Sequence, residues 1–376
     1  MKVLLLDTNL SSVPIYNYLV NLGYEVFVVG TNKDDTIAIS CRNYIQLDYS
    51  DVELVSEFVI NNEIDIVLPG CNDISYKTAS IINENKLNKL NILNISSSNI
   101  NEVINNKNKF KKFALEHKLK VPKLYLKNEI DDIYISKLIV KPVDSYSGNG
   151  VSVLSDFSTS ELINAIEFAE SNSITGECII EEFVSGNLYS HSAFIKDGDY
   201  FCDFIVQEFC TVNPYSVDTS WVIDNDKFHL YNEIRIEVEK IFKKLKLCDG
   251  LIHTQFIVDG DDFWILEVTR RCPGDLYSKL IEYSTGFNYS KSYVDFIINK
   301  LPSVSNKIVK KNILRKTITF KDEFFWFSLE NKNEKIHIIE FFPLSVSGKK
   351  MQIAPKGRAG IVFYSSPSTF NINNLS

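Results

Sequence analysis

The chain has no excess of positive charge, no closely spaced cysteines and no long apolar run, and each absence removes a class of function. With a net charge of -8 and a pI near 5.3, it is poorly suited to partners bound mainly by phosphate neutralisation. Neither a nucleic acid nor an anionic membrane is expected as a partner. A small anionic substrate can still be held in a local cationic pocket. The seven cysteines, Cys41, Cys71, Cys178, Cys202, Cys210, Cys248 and Cys272, are odd in number and contain no Cys-x-x-Cys pair. That pattern argues against a disulfide framework and a zinc knuckle, and a reducing cytoplasm fits it best. The first apolar run, Val3-Leu4-Leu5-Leu6, is cut by Asp7 and is too short for a signal-peptide core. No later run approaches the length of a membrane span.

Of the 376 residues, 45% are hydrophobic and 23% charged, enough apolar mass for two or three packed lobes. Up to about residue 98, short apolar runs alternate with amphipathic stretches, the pattern of parallel strands joined by crossover helices. Strands are expected at residues 3–7, 25–29 and 65–69, with helices at 11–22 and 51–62. The turn after the first strand, Asp7-Thr8-Asn9-Leu10-Ser11-Ser12, has no glycine, so the backbone cannot approach a pyrophosphate there and a dinucleotide cofactor is rejected. Asn72 and Asp73 follow Pro69-Gly70, where an open parallel sheet receives ligands; contact with a substrate and capping of a helix are equally good accounts. A basic helix is expected over 105–120, ending before Pro122. Strands and turns are expected to dominate 138–206, followed by a helix at 231–245, a hairpin at 251–268, a helix at 275–283 and mostly strand in the last seventy or so residues.

Three segments carry chemistry. In Leu138-Ile139-Val140-Lys141-Pro142 a lysine sits inside an apolar strand, which is expensive unless an anion meets its ammonium. The loop that follows holds Ser147, Gly148 and Gly150 and can fold over a polyphosphate, offering backbone N–H donors. It is not a P-loop, since the lysine precedes the glycines and a strand follows. An ordinary hairpin with an exposed edge lysine explains the segment equally well. In the second segment, Cys178-Ile179-Ile180-Glu181-Glu182-Phe183-Val184 is an apolar strand running into two acids. It can present backbone groups to an adenine edge, or be a strand end with solvated acids.

The third segment is the hairpin around Asp259-Gly260-Asp261-Asp262. A two-residue turn would set Gln255 opposite Leu266, whereas a three-residue loop sets Gln255 opposite Glu267. Only the second register segregates the faces. It puts Thr254, Phe256 and Val258 with Trp264, Leu266 and Val268, and His253 and Gln255 with Glu267 and Thr269. Oxygen groups from paired strands, with Arg271 just beyond, suit a magnesium-bound polyphosphate better than an all-protein cage. The bland alternative is a solvated polar hairpin face.

Taken in order, Lys107, Lys141 with its glycine-bearing loop, residues 181–184, Gln255, Glu267 and Arg271 resemble the motifs of the ATP-grasp superfamily, in particular its carboxylate–amine ligases. The resemblance spans about residues 1–300. It implies a mixed α/β and α+β multi-domain protein: a Rossmann-like pre-ATP-grasp domain over 1–104, and an ATP-grasp domain over 105–300 with lobes at 105–183 and 184–300. A small β-rich part over 301–376 would follow. By resemblance Lys107 and Lys141 contact phosphates, Ser147, Gly148 and Gly150 close over them, and Glu181, Glu182, Phe183 and Val184 hold adenine. Glu267, Gln255 and Thr269 are metal ligands, and Arg271 steadies a substrate carboxylate or acyl phosphate, while Asp73, singled out by its place at the sheet edge, is a candidate contact to the amine. Leu188 replaces a frequent ribose-binding glutamate, which shifts that contact to Ser190 or Glu182. Gln255 stands where many members have glutamate, and Thr269 where asparagine is usual.

The implied reaction uses ATP and Mg²⁺, with Mn²⁺ as a substitute, to join a small carboxylate to an amine, with amino acids or their conjugates as the default class. A homodimer is an admissible assembly. The rival readings are a nucleotide-binding regulatory module without turnover and a phosphotransferase to a hydroxyl. A biotin-dependent carboxylase shares the fold, but the chain has no biotin-accepting Met-Lys-Met segment.

Overall fold

In the computed structural model, which describes residues 1–87, 93–127, 137–145, 148–302, 310–325, 327, 336–367 and 369–370, the chain opens on a parallel sheet. Its elements are β1 (Lys2–Leu6), α1 (Val13–Asn21), β2 (Glu25–Gly30), α2 (Thr36–Ser40), β3 (Tyr44–Gln46), α3 (Val52–Asn61), β4 (Ile66–Pro69) and α4 (Asp73–Glu84). The strand order is β3-β2-β1-β4, all parallel. Val3, Leu4, Leu5 and Leu6 of β1 are fully buried, as expected for a central strand covered on both faces. The helices start where local chemistry directs: Asp51 accepts from Glu53 N and Leu54 N at 3.1 Å each to cap α3. Asn72 likewise caps α4 through Ser75 N at 2.9 Å.

Two helices, α5 (Ser98–Asn105) and α6 (Lys107–Glu116), lead away from this sheet. The single basic helix expected over 105–120 is shorter, because Asn106 accepts from Lys109 N at 3.0 Å and fixes its start at Lys107. A small antiparallel sheet follows, made of β5 (Leu124–Tyr125), β6 (Lys137–Pro142), β7 (Ser152–Ser155) and β8 (Cys178–Glu182), in the order β5-β8-β6-β7. Between β7 and β8 the chain forms α7 (Thr159–Ser171), which corrects the expectation of strands and turns there. The Ser158/Glu161 capping box starts it, and Leu162, Ala165, Ile166 and Ala169 pack on Leu138, Val140 and Ile180.

The largest layer is an eight-stranded antiparallel sheet. Its members are β9 (Asn187–Lys196), β10 (Asp199–Phe209), β11 (Thr219–Ile223), β12 (Gly250–Asp259), β13 (Asp262–Thr269), β14 (Asn312–Thr319), β15 (His337–Pro343) and β16 (Arg358–Ser366). The order is β13-β12-β9-β10-β11-β14-β16-β15, so the strands after residue 310 continue the sheet from β11. Between β11 and β12 lies α8 (Tyr231–Lys244), and after β13 come α9 (Tyr277–Thr285) and α10 (Tyr289–Ile297). One face of the sheet packs on α6 and α8 through Phe110, Phe113, Ile234, Val238 and Phe256. The other shares a core with α9, α10 and the N-terminal sheet, through Phe194, Leu280, Phe296 and Leu6. No helix among the described residues is long and apolar enough to cross a membrane.

The β12–β13 hairpin differs from expectation in an informative way. Its turn is the two-residue one, with Asp259 opposite Asp262, yet Gln255 still faces Glu267 because the register shifts between Gln255 and Phe256. Leu266 is the extra residue of that β-bulge. Phe263 and Ile265, at 1% exposure each, therefore join Phe256, Val258 and Val268 in the core in place of Trp264 and Leu266. A bulge re-aims the side chains beyond it, and here it preserves the Gln255–Glu267 pairing that the turn length alone would have broken.

Candidate active site

The cationic part of the site is assembled from α6 and the small sheet. β6 lies between β8 and β7, so Lys141 is not on an edge strand and the exposed-hairpin account of it fails. Its ammonium pairs with Glu181 on β8, and the other Glu181 oxygen pairs with Lys111 of α6 at 2.6 Å. Burial works against the charge on Glu181, but Lys141 and Lys111 override it and hold the carboxyl below its ordinary range. Lys107, at the first turn of α6, donates to Ser145 O at 3.2 Å and Val143 O at 3.5 Å in the loop after β6. Burial, together with nearby Lys141, draws the Lys107 pKa below the usual lysine value. Three ammoniums, Lys107, Lys111 and Lys141, thus gather in a partly desolvated place around one buried carboxylate, Glu181.

The loop between β6 and β7 is anchored at one end by Asp144, which accepts from Ile174 N at 3.0 Å and Thr175 N at 2.9 Å. At its far end Gly148 and Gly150 have φ of 71° and 75°, a left-handed conformation that favours glycine. A Cβ at Gly148 would lie 2.3 Å from Tyr215 Cβ. The tip of the small-sheet loop therefore rests against the loop joining β10 and β11 of the large sheet. Ser147, assigned to this loop, lies outside the described residues.

Across from the lysines, Glu267 is exposed beside half-buried Gln255. Among the described residues nothing ion-pairs with the Glu267 carboxylate, and its charge acts on Lys107, Arg271 and Glu208. These residues therefore share one electrostatic neighbourhood. Glu208 on β10 is a buried acid that the sequence reading did not single out. It accepts from Gln255 Nε2 at 2.7 Å and from Ser190 Oγ at 3.0 Å. Burial pushes its carboxyl up to about 7, against the hydrogen bond from Ser190, the charge of Arg315 and the hydrogen bond from Gln255; the charge of Glu267 adds to the rise. The only hint in the sequence was an acid inside the apolar run Phe204 to Phe209.

At the end of β13, Arg271 grips Asp73 with two parallel bonds, Nε to Oδ1 at 3.0 Å and Nη2 to Oδ2 at 3.2 Å. Thr269 Oγ1 donates to the same Oδ1 at 3.0 Å. Burial opposes ionisation of Asp73, but the guanidinium wins and lowers its pKa. Asp73 is thus tied to Arg271, and the capping role belongs to Asn72. This contact brings the start of α4, at the ligand-receiving edge of the parallel sheet, onto the end of the hairpin.

Of the residues read from the sequence, Lys107, Lys141, Glu267, Arg271 and Asp73 share one electrostatic neighbourhood, which Gln255 joins opposite Glu267 and Thr269 joins through Asp73, while Gly148 and Gly150 lie further along the loop that follows Lys141. Glu182 N and Phe183 N donate to Lys123 O at 2.9 Å and Lys137 O at 3.1 Å, which ties the 181–184 segment to both neighbouring strands. Phe183 also lies under the Lys137 ammonium, 3.9 Å from the ring centre. Ser190 is fully buried and engaged with Glu208 and Tyr277. Among the described residues no group of three or more His, Cys, Asp or Glu could hold a metal alone. The donor set of one free carboxylate and one amide oxygen does fit a hard cation that takes its remaining ligands from phosphates and water.

Residues 104–275 match the family model described as an ATP-grasp domain. The chain thus carries an ATP-grasp domain, as the ordered motifs led us to expect. No curated protein matches the sequence. Among solved structures, an L-amino acid ligase from Bacillus licheniformis superposes with a TM-score of 0.77 at 18% identity, covering 98% of this chain and 93% of that one. Phosphoribosylglycinamide synthetase from Anaerococcus prevotii superposes with a TM-score of 0.75 at 16% identity, covering 100% and 95%. The biotin carboxylase domain dimer of a Hydrogenobacter thermophilus 2-oxoglutarate carboxylase, solved with MgADP, ADP and bicarbonate, gives 0.76 at 13% identity, covering 97% and 86%. At these identities the likeness is one of fold.

Proposed function

We propose that the protein is an ATP-dependent ligase that activates a carboxylate as an acyl phosphate and transfers it to an amine, with amino acids or amino-acid-like conjugates as the substrate class. The observation that carries this reading is the convergence of Lys107 and Lys141, the Gln255–Glu267 pair and the Arg271–Asp73 clamp on one region bounded by a glycine loop. That the similar folds include an amino acid ligase and a structure holding MgADP is further support.

Residues 181–184 hold the adenine, and Glu182 takes the ribose. Lys107 and Lys141 offset phosphate charge, with Glu181 keeping Lys141 in place and the loop through Ser147, Gly148 and Gly150 covering the phosphates. Glu267 and Gln255 would hold the divalent cation, Mg²⁺ or Mn²⁺, with Thr269, whose hydroxyl donates to Asp73, beside them; the cation would supply Lewis-acid neutralisation of the phosphate oxygens. Arg271 steadies the substrate carboxylate, one oxygen of which attacks the γ-phosphorus as ADP leaves. The amine nitrogen then attacks the acyl carbon and inorganic phosphate leaves, the amine losing a proton. Positioning and electrostatics do the work and no nucleophilic side chain is needed.

The reading is tested by supplying ATP, Mg²⁺ and paired panels of carboxylates and amines. ADP and phosphate should appear only when both partners are present. Release with neither would make the protein an ATPase, and binding of ATP without release under any pair would leave it a nucleotide-binding module.

A further inference from the structure

We propose that Glu208 is a positioning residue of the cation site, acting by fixing which end of the Gln255 amide faces the cation. The inference rests on the reading of Gln255 and Glu267 as cation ligands. A glutamate at position 255 would present an oxygen whichever way its carboxylate turned. A glutamine is different, because its oxygen and nitrogen are nearly the same size and only the oxygen can bind a cation. Turned the wrong way, Nε2 would point its hydrogens at the metal. Such a residue needs a partner whose facing atom accepts, and a carboxyl oxygen that already takes the amide N–H is that partner.

Glu208 supplies it. Its Oε2 accepts from Gln255 Nε2 at 2.7 Å, which leaves Oε1 as the uncommitted atom of the amide among the described residues. Its other oxygen accepts from Ser190 Oγ at 3.0 Å, and that hydroxyl is 3.0 Å from Tyr277 OH, so the carboxylate is held from both ends. Glu208 is 5% exposed and Ser190 fully buried, so water has little room to replace either contact. Buried Arg315, reaching in from β14, faces the same carboxylate with its charge.

The pair also explains why position 255 holds an amide. A second carboxylate at 255 would stand against Glu208 at hydrogen-bond distance, an arrangement that holds only if the two share a proton. One acid and one amide across β10 and β12 is the combination that can be satisfied, whichever strand carries the acid.

The experiment measures Mn²⁺ binding in the presence of ADP by electron paramagnetic resonance, with ADP affinity in the absence of metal and melting temperature as controls. Glu208→Leu removes the acceptor while filling the space. We expect it to weaken Mn²⁺ binding by about 10- to 100-fold, the usual effect of losing a residue that orients a metal ligand, with ADP affinity unchanged. The exchanged double variant, Glu208→Gln with Gln255→Glu, restores one acid and one amide and should recover binding. A folded Glu208→Leu variant that binds Mn²⁺ as the wild type does would overturn the proposal. If that variant fails to fold, the exchanged pair decides, and its failure to bind Mn²⁺ overturns the proposal equally. Glu267→Gln serves as the separate control: unchanged Mn²⁺ binding there would refute the cation site itself.

Discussion

Lys141 and Glu181 show how one buried contact serves two ends. The carboxylate is 1% exposed and lies between two ammoniums, so Lys141 is held in place before any nucleotide arrives. Lys141→Ala should weaken binding of a nonhydrolysable ATP analogue by roughly tenfold or more, the worth of a charge-assisted bond being about 1.5–3 kcal/mol; calorimetric titration would read it, and unchanged affinity would refute the phosphate assignment. Glu181→Gln leaves buried Lys111 and half-buried Lys141 without their counter-charge and should cost about 3–5 kcal/mol of stability. The sign with pH follows from the lowered carboxyl pKa. Its contribution is complete above the ordinary glutamate value of 4.5 and is lost as pH falls through the lower folded value. Denaturation of wild type and variant should therefore differ most near neutrality and converge in acid. Lys141 was legible in the sequence because a charge interrupts an apolar strand. Glu208 left the same kind of mark, an acid within Phe204 to Phe209, and was passed over, whereas Lys111 left none, because a partner across the fold leaves no trace beside it in a basic helix.

Among the elements, the loop from β6 to β7 and the β12–β13 hairpin set the geometry. Gly148→Ala would force a side chain into a left-handed backbone, at about 1–2 kcal/mol, and drive its Cβ into Tyr215. We expect turnover to fall severalfold with the melting temperature little changed, as steady-state kinetics and a thermal melt would show. The hairpin was read from face segregation alone, and the Gln255–Glu267 pairing came out right while the turn length came out wrong. Periodicity registers which residues share a face, but a bulge restores alternation after breaking it, so the extra residue at Leu266 was invisible. The missed α7 is a different kind of error. Ser158-Thr159-Ser160-Glu161 is a capping box, and Leu162, Ala165, Ile166 and Ala169 follow at helical spacing, so that signal was present and outweighed by the expectation of strands.

For the molecule as a whole, the ligand-receiving edge of the parallel sheet, the small sheet and the large sheet meet at one region. The strongest tie across it is the two-bond clamp between Arg271 and Asp73. The parallel sheet and the order of motifs were legible because each depends on local pattern. How the strands after residue 310 pair was not, since joining β11 to β14 spans some ninety residues of sequence and no periodic signal records a long-range partner. The account's central claim is that a carboxylate oxygen attacks the γ-phosphate within this region. The most direct measurement uses a carboxylate substrate labelled with ¹⁸O, an amine, ATP and Mg²⁺, and analyses the released phosphate by mass spectrometry. Transfer of one ¹⁸O atom into inorganic phosphate, together with ADP, is the result predicted. Unlabelled phosphate, AMP with pyrophosphate, or a stable phosphorylated product would contradict it.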